Sequence, residues 1–88
     1  MYRIIDDRGT GKTSRLMLLA KENNATFVCS NPRAMEYKAK QYGIDGLEFI
    51  SYGEFNDYGA DKYIIDELDY YLTATFGTGL IGYSITNE

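Results

Sequence analysis

The sequence predicts an α/β protein: a three-layer sandwich in which helices cover both faces of a mostly parallel sheet of about five strands. Three observations predict it. Short apolar runs rich in β-formers alternate with amphipathic stretches of helical period. Strands separated by helices imply βαβ crossovers and therefore parallel pairing. Each expected strand also runs into polar residues: Asp6-Asp7, Ser30-Asn31, Ser51, Asp66-Glu67 and Thr86-Asn87. In an open parallel sheet those carboxyl ends share one edge, where ligands bind. Polar loops alone would account for any single one of them.

The first strand is expected from Tyr2 to Ile5. Ser14 to Asn23 reads as a helix, with Leu16, Leu19 and Ala20 on one face, ended by Asn23-Asn24. Thr26-Phe27-Val28-Cys29 is a second strand. Ser30-Asn31-Pro32 then supplies a capping residue followed by a proline at the first helical position. The helix continues from Arg33 to Tyr42 and stops at Gly43. Leu47 to Ile50 is a third strand, and a short helical turn follows around Glu54 to Tyr58. After the turn Gly59-Ala60-Asp61, Lys62 to Ile65 is a fourth strand. A short helix is expected from Glu67 to Thr75, a flexible turn at Gly77-Thr78-Gly79, and a fifth strand from Leu80 to Thr86.

Composition narrows the chemistry. With 88 residues the chain is expected to form a single domain, residues 1–88. Its net charge is −4, and its nine basic residues are scattered rather than clustered, which argues against autonomous nucleic-acid binding. One cysteine and no histidine leave no disulfide framework, no thiolate metal site and no imidazole for acid–base work. Charge follows directly on Ile5, unlike a signal peptide, and no apolar run approaches the length of a membrane span. A cytoplasmic protein that engages no membrane is expected.

The chemistry-bearing segment is Asp6-Asp7-Arg8-Gly9-Thr10-Gly11-Lys12-Thr13. Apart from Asp6 at the first glycine position, it fits the phosphate-loop pattern Gly-x-x-x-x-Gly-Lys-Ser/Thr, or Walker A. Glycines let backbone N–H groups close around a dense anion, and the dipole of the following helix adds attraction. Arg8, Gly9, Thr10, Gly11, Lys12 and Thr13 are therefore expected to hold the phosphates of a nucleotide. Lys12 is placed at the β- and γ-phosphates as a catalytic cation, and the Thr13 hydroxyl is placed as a Mg²⁺ ligand. Gly-x-Gly-Lys-Ser/Thr arises by chance in roughly one chain in a few hundred of this length. An ordinary strand–turn–helix corner is the competing explanation.

A second element has the form of a Walker B strand: Lys62-Tyr63-Ile64-Ile65-Asp66-Glu67. Asp66 is expected to hold Mg²⁺, mostly through water. Glu67 is expected to orient or deprotonate the attacking water. An acidic helix start, favoured by the helix dipole, would explain the pair without catalysis.

Together these segments resemble the first RecA-like lobe of superfamily one and two helicases, on a minimal P-loop NTPase fold. Gly9 to Thr13 resembles motif I, Ser30 to Glu36 motif Ia, Ile50 to Phe55 motif Ib, and Asp66-Glu67-Leu68-Asp69 the Asp-Glu-x-Asp motif II. More loosely, Ser84-Ile85-Thr86 resembles motif III, which implies γ-phosphate sensing by Ser84 and Thr86 from a neighbouring strand. The resemblance extends to small phage-encoded P-loop proteins, whose compartment is the host cytoplasm. It implies ATP and Mg²⁺ as cofactors; the adenine preference comes from the resemblance alone. It does not extend to a second lobe, so a motor is not expected.

Two functions follow. One is an ATPase that hydrolyses slowly or only when a partner or a second copy supplies an arginine, a contribution of about 10³–10⁵ in rate. Arg8, Arg15 and Arg33 are candidates for that arginine. The other is a non-catalytic partner-binding or inhibitor protein on a minimal or degenerate P-loop fold, with Tyr37, Tyr42, Tyr52, Tyr58, Tyr70 and Tyr71 suited to an interface, although core packing explains several of them equally well.

Overall fold

The structure, a computed structural model, describes residues 11–85. The expected strand at Tyr2–Ile5 therefore lies outside the described residues, as do Arg8, Gly9, Thr10 and Thr86. Seven elements follow one another: α1 (Lys12–Asn23), β1 (Thr26–Cys29), α2 (Pro32–Gln41), β2 (Phe49–Ser51), α3 (Tyr52–Tyr58), β3 (Tyr63–Ile65) and α4 (Leu68–Phe76). The three strands form one parallel sheet in the order β2-β1-β3. Among the described residues no helix is long and apolar enough to cross a membrane.

The helix boundaries have local causes. Asn31 caps α2, its side chain accepting from the Ala34 N–H at 3.2 Å, with Pro32 at the first position. Gly43 closes it in the left-handed region at φ 73°. The helix α3 begins earlier than Glu54 because Ser51 and Glu54 form a capping box, in which Ser51 Oγ accepts from the Glu54 N–H at 3.1 Å. Replacing Ser51 with alanine is expected to cost about 1 kcal/mol of stability, as for other lost caps. Urea unfolding monitored by circular dichroism would measure it.

Strand alternation divides the core into two faces. Phe27 pairs in register with Phe49 and Ile64, and this row lies with Cys29 against Met17, Ala20 and Ala39 of α1 and α2. Phe27 and Met17 are fully buried, and each such side chain contributes roughly 1.5–3 kcal/mol. Val28, Ile50 and Ile65 form the opposite row. On that side Phe55 of α3 stacks on Tyr63 at 4.4 Å, and Tyr71 of α4 meets both Phe55 and Tyr52. Helices thus cover both faces.

The sheet itself corrects the sequence-based expectation. Three strands are present among the described residues, not the five of a RecA-like sandwich. The segment expected as the fifth strand forms none over residues 80–85. Its β-formers alternate plausibly, but Gly79 and Gly82 weaken it, and it pairs with no strand edge. Ile81 is 99% exposed, and Leu80, Tyr83 and Ile85 are exposed as well.

Candidate functional site

Chain order sets a topological switch point in this sheet. From β1 the chain crosses to β2 on one side, then back over β1 to β3 on the other. In open parallel sheets ligands bind at the carboxyl ends of the strands where the crossovers diverge, which here is between β1 and β3. The amino terminus of α1 belongs to this region, since α1 packs against both β1 and β3.

Gly11 is the N-cap of α1, at φ 79° and ψ 23°. A Cβ there would meet only Ser14 Oγ, at 3.6 Å, so conformation rather than crowding favours glycine. The Gly11 carbonyl accepts from Ser14 Oγ at 3.0 Å and from the Arg15 N–H at 3.2 Å. Lys12 and Thr13 are therefore the first two helical residues, and their N–H groups have no acceptor within the helix. The first turn carries no acidic residue and no side-chain cap. It combines a positive dipole end with a lysine, an arrangement suited to an anion.

Facing it is the turn after β3. Lys12 Nζ lies 3.9 Å from Glu67 Oε1. As an ion pair this partly exposed contact contributes little, about 0–1 kcal/mol. Its value is geometric: the two candidate catalytic residues meet at the carboxyl end of β3. Asp66, next to it, is buried with 6% of its surface exposed. Burial, and then the Glu67 carboxylate, raise its pKa above the ordinary value. Lys12, Lys38 and the Glu67 N–H that its carboxylate accepts pull the other way.

Two further residues complete the turn. The Tyr52 hydroxyl, buried at the start of α3, lies 2.6 Å from the Asp66 carbonyl oxygen and 3.2 Å from that of Glu67. Glu67 is held at φ 55° and ψ 68°, the left-handed region that costs a non-glycine residue roughly 1–2 kcal/mol. Cys29, at the end of β1, is buried, and burial together with the Asp66 charge pushes its thiol up to about 11. It is protonated at neutral pH and a poor nucleophile. Burial and the same carboxylate raise the Tyr52 phenol too.

Of the tyrosines open to either an interface or core packing, Tyr52 belongs to the core and Tyr71 is half-buried against it, whereas Tyr37, Tyr42, Tyr58 and Tyr70 are exposed. The sequence signal that could have singled out Tyr52 is its place directly after the polar strand end Ser51. The strand meant to carry Ser84 is absent. Ser84 lies exposed on a segment that Tyr83 ties to the first turn of α4 by donating to the Asp69 carboxylate. Among the described residues no cluster of three or more Asp, Glu, Cys or His could hold a metal.

No family model, curated protein or solved structure matches this chain.

Proposed function

We propose that this protein binds the phosphates of a Mg-nucleotide, ATP by the resemblance noted above, between α1 and the turn after β3. The observation that carries the reading is the approach of Lys12 to Glu67 beside a buried Asp66. A lysine at a helix amino terminus and a carboxylate pair at a strand end, separated widely in sequence, converge where a parallel sheet binds ligands. The donor set fits Mg²⁺, which keeps most of its waters and takes one or two protein oxygens plus phosphates. Thr13 and Asp66 would hold it, and when bound it neutralises phosphate charge.

The remaining steps belong to the chain. The N–H groups of the first turn of α1, which have no acceptor within the helix, and Lys12 Nζ bind phosphate oxygens. A phosphate competes with Glu67 for Lys12, so its arrival releases the Glu67 carboxylate to accept a proton from an attacking water. Hydrolysis is proposed to be weak, or to depend on an arginine from a partner or a second copy.

A second reading, a partner-binding module, is favoured by one observation. Leu68, Tyr70, Phe76, Ile81, Tyr83 and Ile85 expose large apolar side chains along one stretch of chain. Calorimetric titration with Mg-ATP and with a non-hydrolysable analogue separates the two. Binding below millimolar concentration is expected. Its absence at millimolar nucleotide would leave the module reading alone.

A further inference from the structure

We propose that Tyr52 is a positioning residue, which fixes the Asp66-Glu67 turn in the conformation that presents Asp66 to a metal–phosphate ligand. The inference rests on the nucleotide-binding reading and deepens it. In an extended strand successive carbonyls point to opposite sides. Those of Asp66 and Glu67 converge on one phenolic oxygen, at 2.6 and 3.2 Å. Convergence requires the chain to leave β3 abruptly, and Glu67 does so at φ 55°. Local strain of this kind persists only where the surroundings over-determine it.

Tyr52 is equipped for that task from three directions. The capping box at Ser51 and Glu54 fixes the start of α3, and hence the Tyr52 backbone. The Tyr71 ring meets it edge-on, with centroids 5.2 Å apart. Its hydroxyl is buried, so donation to the turn is not exchanged for water. On the α4 side the Glu67 carbonyl also accepts from the Tyr71 N–H at 3.1 Å, as the first bond of that helix, so what Tyr52 adds is the tie between that carbonyl and the Asp66 carbonyl. The consequence is a rigid link from the end of β2, through one side chain, to the carboxylate pair at the end of β3.

The test compares ATP affinity with Mg²⁺ and with EDTA by calorimetry, for wild type and Tyr52→Phe. The variant keeps the ring and loses the donor. The gain in affinity on adding Mg²⁺ is expected to fall about tenfold, the lower end for groups that orient metal ligands. Affinity for metal-free ATP, which depends on α1 and Lys12, is expected to stay within about twofold. Glycine adopts the left-handed region freely, so Glu67→Gly in the Tyr52→Phe background is expected to restore most of the Mg²⁺ gain. If Tyr52→Phe does not fold, Glu67→Val carries the test. It retains Tyr52 but places a β-branched residue at φ 55°, and the same selective loss is expected. An unchanged Mg²⁺ gain overturns the proposal and leaves nucleotide binding standing. An equal loss with and without Mg²⁺ reduces Tyr52 to packing and also overturns it. No nucleotide binding by wild type overturns both readings.

Discussion

Replacing Lys12 with alanine is expected to weaken Mg-ATP binding at least about 100-fold. A hydrogen bond between charged groups contributes about 1.5–3 kcal/mol, and each 1.4 kcal/mol is tenfold in affinity. Lys12 does more than contact phosphate. It lies 3.9 Å from Glu67 and is one of the charges holding the pKa of Asp66 down. Its removal leaves two carboxylates facing the incoming phosphates without the cation that offsets them. The loss should therefore exceed that of one hydrogen bond. Lys21→Ala is the matched control. Lys21 also pairs with a carboxylate, Asp45 at 2.7 Å, but on an exposed surface, and its removal is expected to leave affinity unchanged. Calorimetry on both variants, with melting temperatures to confirm folding, decides the matter. Equal affinities for Lys12→Ala and wild type would refute the phosphate site.

Much of the fold was legible because its boundaries are set locally. Pro32 after Asn31 starts α2 and Gly43 ends it, whatever the rest of the chain does. Strand β1 is legible because Phe27, Val28 and Cys29 are apolar on both faces, as a central parallel strand requires. The segment from Leu80 onward misled for the converse reason. Strand propensity is a preference for a pleated, half-buried surface. Ile81 and Tyr83 have that preference, but whether a sheet edge receives them is decided elsewhere in the fold.

The site divides the same way. Lys12, Asp66 and Glu67 stand out as candidates because their residue types and flanking elements match the patterns of a phosphate loop and an acidic strand end. The left-handed turn at Glu67 does not, since glutamate carries no signal for positive φ. Nor does the burial of Tyr52 edge-on against Tyr71. That depends on β2 and β3 flanking β1, so that α3 and α4 pack against each other.

Asp66→Asn is expected to stabilise the protein while removing Mg²⁺ dependence. The Asp66 carboxylate is buried, and burial and Glu67 raise its pKa in the folded chain. As pH rises from the ordinary carboxylate value to that raised value, the unfolded chain releases its proton first. The folded chain then binds more protons, so stability falls with rising pH across this interval, and the cost is fully present above it. Asparagine carries no such charge and can still accept the Glu67 N–H through Oδ1. In EDTA and at neutral pH the variant should melt several degrees higher than wild type, since about 1 kcal/mol corresponds to roughly 4–8 °C for a domain of this size. Its denaturation midpoint should also lose the downward slope with pH. Meanwhile the gain in ATP affinity from Mg²⁺ should fall at least about tenfold, as for a lost metal-orienting group. Glu67→Gln separates the neighbouring role. Mg-ATP affinity should hold, while any turnover should drop about 100-fold, as for a lost general base. A buried carboxylate whose removal strengthens the fold and abolishes metal-dependent binding has its reason in the ligand. If Asp66→Asn lowers stability and leaves Mg²⁺ dependence intact, Asp66 is a structural hydrogen-bonding group and the metal role assigned to it is wrong.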